Sequence, residues 1–197
     1  MMQAELQFRT WGGRREGAGR KRTGLGGVPY RRRPGFATRM PVHVTWRFAA
    51  HVWNLRSRRS LRVIAGALWK GADRGGARVV QLSIQGNHVH LLIEADSTAA
   101  LTRRMRGLGI AVAKGMNRLM GRRGRVLADR YHEHVLRTPT EVRRAVRYIR
   151  DNQRHHHPEV AFSAGYVDPY GSGAPGLSLP PPRSWLVRRA TKPPPGA

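Results

Sequence analysis

The spacing of apolar residues in the middle of the chain limits its fold more than any other feature of the sequence. In residues 42–48 apolar and polar residues alternate, which predicts a strand with one buried face. Residues 80–84 and 88–94 alternate in the same way on either side of Gly86-Asn87, a pair typical of turns, and so predict a hairpin. A fourth strand is predicted over residues 132–137.

Three further stretches carry apolar residues at helical spacing. The first covers residues 61–68 and is opened by Ser57 or Ser60, and the second starts near Ser97 or Thr98. The last helix is predicted to have Thr140 as its cap and to bury a stripe formed by Val142, Ala145, Val146 and Ile149. The order β-α-β-β-α-β-α predicts an α+β fold of the ferredoxin-like or RRM-like type. In such a fold the helices lie on one face of an antiparallel sheet, and we expect the other face to be free for a ligand.

Both ends of the chain differ in composition from this middle part. Residues 1–40 are rich in Gly and Arg and poor in apolar residues, which predicts a flexible basic arm. Residues 158–197 are rich in Pro and Gly, which predicts a disordered tail. Apolar residues that could attach parts of this tail to the domain are Val160, Phe162, Trp185 and Leu186. The sequence therefore predicts one folded domain over residues 41–157 between two tails.

The charge of the chain predicts a polyanionic partner. Lys and Arg number 37 against 11 for Asp and Glu, which gives a formal net charge of +26. Arg outnumbers Lys, and because guanidinium groups bind phosphate oxygens and stack on bases, nucleic acid is the polyanion that we expect. The basic residues expected to contact it are Arg31, Arg32, Arg33, Arg103, Arg104, Lys114, Arg122, Arg123 and Arg125.

The residue types and segments that are missing exclude several classes of protein. The chain contains no cysteine, which excludes disulfides, cysteine-ligated zinc and a thiol nucleophile. Its N-terminus does not read as a secretory signal, and no apolar run is as long as a membrane span. We therefore expect a bacterial cytoplasmic protein, associated with the nucleoid and without a membrane partner.

His88 and His90 carry the first chemical signal. Residues two apart in a strand point to the same side, so both imidazoles project from the sheet and could bind one divalent ion. A pair of solvated histidines on a sheet surface fits the same pattern. On the last helix, Asn152 follows Tyr148 by one turn and could add an oxygen ligand beside the phenol. A nearby cation makes a phenol a better nucleophile, although an ordinary packed tyrosine also fits this position.

Four motifs, taken together and in order, resemble a known family. They are GNHVHLLIE at residues 86–94, the helix that follows it, GRVLADRYHEHV at residues 124–135, and VRYIRDN at residues 146–152. This combination resembles the REP-associated tyrosine transposases and the wider group of single-tyrosine HUH transposases. HUH denotes two histidines around an apolar residue, here His88-Val89-His90. The resemblance covers about residues 41–152.

The resemblance implies a metal-dependent nuclease that cuts single-stranded DNA beside a hairpin. Tyr148 would attack a phosphate and stay joined to the 5′ phosphate, and the freed 3′ hydroxyl could later reverse the reaction on another strand. His88 and His90 would bind Mg²⁺ or Mn²⁺, with Asn152 as a third ligand. From the resemblance we also expect a homodimer, because in related transposases the tyrosine can act with the histidines of the partner chain.

The end of the last helix departs from the family pattern. The family often continues from the asparagine with proline, whereas here Gln153 and Arg154 are followed by His155-His156-His157. Three consecutive histidines could form a second metal site, but a basic cluster at a helix end is the interpretation that we favour. On the first strand, His43 and Arg47 share one face and could lie beside the metal site, depending on register.

Two other functions fit parts of the sequence. A nucleic-acid-binding module without catalysis would use the open face of the sheet, but the aromatic pair typical of such modules is absent from these strands. A metal-dependent hydrolase would activate water and would need a carboxylate base near the histidines, for which Glu94 is the obvious strand residue. A covalent adduct between tyrosine and DNA distinguishes a transposase from both.

Overall fold

Helices and strands follow one another in the order β-α-β-β-α-β-α-α in the part of the chain that the structure describes. The computed structural model describes residues 35–36, 38–70, 75–175 and 177–191 of the 197-residue chain. The elements are β1 (Met40–Arg47), α1 (Arg58–Trp69), β2 (Ala77–Ile84), β3 (His88–Ala95), α2 (Thr98–Leu119), β4 (His132–Val135), α3 (Pro139–His156) and α4 (Trp185–Thr191). The first seven match the order predicted from the sequence.

The four strands form one antiparallel sheet in the order β2-β3-β1-β4. The turn at Gly86-Asn87 joins β2 to β3 as predicted, and the hairpin is closed by a hydrogen bond of 2.8 Å from Gln85 N to His88 O. β1 lies in the middle and pairs with both β3 and β4, while α1 connects β1 to β2 and α2 connects β3 to β4, as in a split βαβ arrangement. The predicted α+β, ferredoxin-like fold class is confirmed.

Different helices cover the two faces of the sheet. α1 and α2 pack on the face that carries Val44 and Val89, where they bury the larger hydrophobic core. The opposite face carries Leu92, which packs with the apolar stripe of α3 and with Val187 of α4. We expected this second face to be open, and that expectation is wrong. The apolar stripe predicted for α3 is buried by packing on this face of the sheet, because the hydrophobic effect favours its removal from water.

Side-chain caps determine where the helices begin. Ser57 caps α1 and Ser97 caps α2, each by accepting a hydrogen bond from a backbone N–H of the first turn. The cap of α3 is Thr138 and not the predicted Thr140. Thr138 and Glu141 bond reciprocally to each other's backbone, and a proline occupies the first helical position. This arrangement stabilises the earlier start because it satisfies two backbone donors at once.

The segment after α3 is packed on the domain over its described residues, 158–175 and 177–191. Asp168 forms a salt bridge of 2.8 Å with Arg56, and Ala174 and Leu177 are buried in the main core. The prediction of a disordered tail is therefore wrong for this part of the segment. Polar anchors and a few apolar side chains hold it in spite of its high proline content.

Glu94 attaches the last part of this segment. Its carboxylate is only 1% exposed and accepts hydrogen bonds from Arg183 N and Ser184 N, both at 2.7 Å, and from Ser184 Oγ at 2.6 Å. These bonds fix the chain just before α4 begins. Glu94 thus has a structural role, and its carboxylate is covered by the C-terminal segment.

Most of the predicted basic arm, residues 1–34, lies outside the described residues, and Arg31, Arg32 and Arg33 lie there with it. The boundary between arm and domain therefore stays a prediction. Among the helices that the structure does describe, none has both the length and the apolar character needed to cross a bilayer.

Candidate active site

The face of the sheet that α3 covers carries a row of polar side chains at one end. The register of β1 with β3 pairs Thr45 with His90 and Arg47 with His88. His43, Thr45 and Arg47 alternate with the core residues of β1, so they share the face of the two histidines. The structure therefore places His43 and Arg47 beside the predicted metal site.

α3 supplies the second wall of the site. The ring of Tyr148 packs edge-on against His90, with the ring centroids 5.1 Å apart. Asn152 follows one turn later, and His156 follows after another turn, with its ring centroid 5.7 Å from that of His88. A single row of helix positions therefore faces both histidines of β3.

Hydrogen bonds hold the ring of His90 in one orientation. Its Nδ1 lies 3.2 Å from both Thr45 Oγ1 and His43 Nε2, while its Nε2 is buried without a hydrogen-bond partner. Burial, together with the neighbouring imidazoles of His43, His88 and His156, lowers the pKa of His90 to about 3. The ring is therefore neutral at physiological pH, as a histidine that binds a metal must be.

His88 is oriented by the residue before it. Its Nδ1 bonds to Asn87 Oδ1 at 2.8 Å, and because this oxygen only accepts, Nδ1 carries the proton and Nε2 keeps its lone pair. Burial, followed by His156 and Arg47, lowers the pKa of His88. Asn87 therefore sets the tautomer of a candidate ligand as well as forming the turn.

Asn152 is a buried side chain with unsatisfied polar atoms. It is fully buried, and neither Oδ1 nor Nδ2 has a hydrogen-bond partner. Leaving such groups unpaired costs about 1–3 kcal/mol each. A cation bound by Asn152 Oδ1 and His90 Nε2 would satisfy an atom of each residue. These atoms and His88 Nε2 are of the types that bind a divalent ion through two imidazoles and one amide oxygen.

The unpartnered amide of Asn152 is the candidate third ligand beside the two histidines. Among the described residues, no group of three His, Cys, Asp or Glu side chains is arranged to hold an ion by itself. A third ligand beside His88 and His90 would therefore come from another kind of side chain, and the fully buried Asn152 lies on α3, the helix whose Tyr148 contacts His90. Imidazole nitrogen favours Mn²⁺ more than Mg²⁺, so the ligand chemistry points to the softer of the two expected ions.

A groove of about 600 Å³ opens beside the phenol of Tyr148, which is 37% exposed. The other residues that line it are His43, His134, Leu136, Glu141, Arg144 and Ala145. A larger cavity of about 1030 Å³ lies along α2. Among the described residues that line it there is no predicted site residue. The smaller groove contains the phenol of Tyr148 and the imidazole of His43, so it is the candidate functional groove.

The basic residues predicted on α2 do not surround this site. Arg103 and Lys114 are exposed, but α2 packs on the face of the sheet opposite His88 and His90. Arg122, Arg123 and Arg125 are exposed in the loop between α2 and β4. That loop joins the end of β1 through a bridge between Phe48 and Leu127, which is the end of the sheet where His88 lies.

Arg104 has a structural role, and its prediction as a nucleic-acid contact is wrong. Only 9% of the residue is exposed. Its guanidinium donates hydrogen bonds to Leu68 O at 2.7 Å and to Lys70 O at 3.4 Å, at the C-terminal end of α1. The last carbonyls of a helix lack partners within the helix, so a buried arginine satisfies them well.

Arg144 is the site residue that the sequence reasoning did not single out. It precedes Tyr148 by one turn on α3 and lines the same groove. Its spacing from the tyrosine was a usable signal, because residues one turn apart lie on the same helix face. The role of Thr45 had no such signal, since it depends on the register between β1 and β3.

The fold has a counterpart among solved structures. The structure of the REP-associated tyrosine transposase bound to a REP hairpin is similar to this chain, with a TM-score of 0.55 and 16% identity over 74% of this chain and 82% of that one. A candidate transposase from Deinococcus radiodurans R1 aligns with a TM-score of 0.43 and 18% identity over 67% of this chain and 99% of that one. No protein-family model and no curated protein matches the sequence. The chain thus has the fold of a REP-associated tyrosine transposase.

Proposed function

We propose that this chain is a transposase-type endonuclease and strand transferase that acts on single-stranded DNA next to a hairpin. The observation that carries the proposal is the contact between the rings of Tyr148 and His90, 5.1 Å apart, beside the unpartnered amide of Asn152. A nucleophile, two neutral imidazoles and a further ligand atom meet at the junction of α3 with β3. Together they form the set needed to cut a phosphodiester through a tyrosine.

The reaction exchanges one phosphate ester for another. The phenolic oxygen of Tyr148 loses its proton to solvent and forms a bond to phosphorus. The bond from phosphorus to the 3′ oxygen breaks, and this oxygen takes up a proton and leaves as a hydroxyl. The 5′ phosphate stays on the tyrosine, so the reverse attack by a 3′ hydroxyl rejoins DNA without ATP. A divalent ion held by His88, His90 and Asn152 would polarise the phosphate.

The groove beside Tyr148 suits a phosphodiester strand. Arg144 and His134 line it, and the guanidinium of Arg144, one turn before Tyr148 on α3, can bind phosphate oxygens beside the phenol. The large positive charge of the chain adds affinity that does not depend on sequence. The solved structure with the same fold contains a REP hairpin, which favours hairpin DNA as the substrate class.

Contacts of Glu94 argue against a hydrolase that activates water. Glu94 was the carboxylate expected to serve as base, yet its oxygens accept three hydrogen bonds from Arg183 and Ser184. It also lies two same-face positions from His90 along β3, about 13 Å away. A protein that binds hairpins without cutting them is the remaining alternative, and it would retain affinity while forming no adduct.

The test is adduct formation on a denaturing gel. End-labelled single-stranded DNA with a hairpin from the flanks of the gene is incubated with the protein and Mn²⁺ or Mg²⁺. We expect a metal-dependent protein–DNA adduct for the wild type and none for Tyr148→Phe, His88→Ala or His90→Ala. Tyr166→Phe is the matched control, because Tyr166 lies in the C-terminal segment. Cleavage that persists in Tyr148→Phe would show that water is the nucleophile.

A further inference from the structure

His134 and Glu141 face each other in the groove beside Tyr148. Both residues line this groove, His134 from β4 and Glu141 from the first turn of α3. His134 Nε2 lies 4.0 Å from Glu141 Oε1, which is the outer limit of an ion pair. With Nε2 on the side of the carboxylate, Nδ1 is the ring nitrogen that remains for a substrate atom.

We propose that His134 is the general acid of the cleavage step and that Glu141 is its positioning residue. This inference rests on the proposed function, because it assumes that Tyr148 attacks a phosphodiester. As the bond from phosphorus to the 3′ oxygen breaks, its electron pair passes to that oxygen, which takes a proton from His134 Nδ1. The ring regains a proton from solvent. In the rejoining step the neutral ring accepts the proton of the attacking 3′ hydroxyl.

The spacing of the groove residues along α3 suits an in-line displacement. Glu141, Arg144 and Tyr148 line the groove from three successive turns. The first and the last are about 10 Å apart along the helix axis, and a tyrosine side chain leans toward the N-terminus of its helix, here toward Glu141. A nucleophile about 3 Å from phosphorus and a donor about 2.8 Å from the leaving oxygen stand about 7 Å apart. His134 is therefore placed to reach the leaving oxygen of a phosphate bound by Arg144.

The start of α3 keeps the carboxylate of Glu141 ionised. Its Oε2 accepts hydrogen bonds from Arg137 N at 2.6 Å and from Thr138 N at 3.0 Å, and these bonds lower the pKa of Glu141. The other oxygen, Oε1, is the one that faces His134. An ionised carboxylate beside an imidazole favours the protonated ring that a general acid requires.

His134 suits proton transfer better than the other groups of the groove. His43 Nε2 lies 3.2 Å from His90 Nδ1, so the second imidazole of the groove is engaged with a candidate metal ligand. Arg144 cannot serve, because a guanidinium does not give up its proton at neutral pH. The side chain of His134 is 67% exposed, so the ring can exchange protons with water between turnovers.

The experiment replaces the 3′ oxygen at the cleaved bond by sulfur. A thiolate is a much weaker base than an alkoxide, so a 3′-bridging phosphorothiolate releases its leaving group without a general acid. Hairpin DNA with oxygen or sulfur at this position is incubated with an excess of the full chain and Mn²⁺, and the rate of adduct formation is measured. We expect His134→Ala to be about a hundredfold or more slower than the wild type on the oxygen substrate, and close to the wild type on the sulfur substrate.

Two further variants separate proton transfer from structure. Glu141→Gln keeps the cap of α3, because glutamine also forms a capping box, and should show a smaller loss on the oxygen substrate alone. His132→Ala is the matched control and should cut both substrates as the wild type does. His132 is exposed two positions before His134 on β4 and is not among the described residues that line the groove. Thermal unfolding, and Mn²⁺ binding followed by electron paramagnetic resonance, should be unchanged in each variant.

Each result decides a different point. If His134→Ala is slowed equally on both substrates, His134 binds DNA or supports the groove and is not the general acid. Wild-type rates of His134→Ala on both substrates would also overturn the proposal. In either case an adduct that forms with the wild type and is absent in Tyr148→Phe leaves the proposed function intact. If the wild type forms no adduct from either substrate, the proposed function fails and this inference fails with it.

Discussion

The ring of Tyr148 meets the ring of His90 of the same chain at an interplanar angle of 88°, with the centroids 5.1 Å apart. The apolar stripe of α3 packs on Leu92, two positions further along β3, and this packing holds the phenol at that distance. Tyr148 and the histidines of β3 are therefore held together by the packing of α3 on the sheet. A tyrosine acting on the histidines of a second chain would require α3 to leave this core.

The first prediction concerns this arrangement within one chain. A mixture of Tyr148→Phe and His90→Ala proteins should form no adduct, since neither chain has both groups in one site. The measurement is the denaturing gel with equal amounts of the two variants, and the positive control is wild type diluted to the same concentration. Adduct in the mixture would mean that chains exchange α3 and act as a dimer with shared sites.

The second prediction concerns His43, which positions His90. Its Nε2 lies 3.2 Å from His90 Nδ1 and holds the ring through the nitrogen that does not face the ion. We expect His43→Ala to lower Mn²⁺ affinity by about tenfold to a hundredfold, as losses of such supporting groups do. His134→Ala is the control, because His134 pairs with His43 across the sheet but has no hydrogen bond to His90 among the described contacts. Equal Mn²⁺ affinity in His43→Ala and wild type would rule out the positioning role.

The sequence predicted the strands, the main helices and the histidine pair because each depends on local periodicity. Alternation in β3 was sufficient to place His88 and His90 on one face, and the spacing in α3 was sufficient to place Asn152 behind Tyr148. What the sequence did not predict depends on contacts between distant segments. The pairing of Thr45 with His90 depends on the register between β1 and β3. The high Pro and Gly content of residues 158–191 predicted disorder and gave no sign that Ala174 and Leu177 pack in the core.

Arg104 is a second case in which the role of a residue depends on contacts that the sequence alone does not give. Arg103 and Arg104 are adjacent in a basic stretch, and composition treats them alike. Only the helical phase separates them, since one points to solvent and the other enters the space between α1 and α2. A net charge predicts a partner for the molecule as a whole, but it cannot assign that partner to a particular side chain.

The third prediction uses this pair of arginines. Arg104→Ala should lower the free energy of unfolding by about 2 kcal/mol, because the helix carbonyls Leu68 O and Lys70 O lose a buried donor. Arg103→Ala should leave stability nearly unchanged, since its side chain is exposed. Urea unfolding followed by circular dichroism measures both. The assignment fails if the two variants are destabilised equally.

The fourth prediction is a loss of stability in acid that arises from the site. The pKa of His90 is lowered to about 3 in the folded chain, from an ordinary value of 6.5, so the unfolded chain binds the proton more tightly. The stabilising contribution is therefore complete above pH 6.5 and is lost as the pH falls toward 3. Between pH 7 and pH 5 this one group should lower the free energy of unfolding by about 2 kcal/mol.

Urea unfolding in the presence of a chelator measures this effect without interference from bound metal. The pKa values of His43 and His88 are also lowered by burial, so these residues act in the same direction. His90→Asn should therefore show a shallower decline between pH 7 and pH 5 than the wild type, whatever its stability at pH 7. An unchanged slope in that variant would contradict this prediction, because it would mean that His90 is protonated as readily in the folded chain as in the unfolded one.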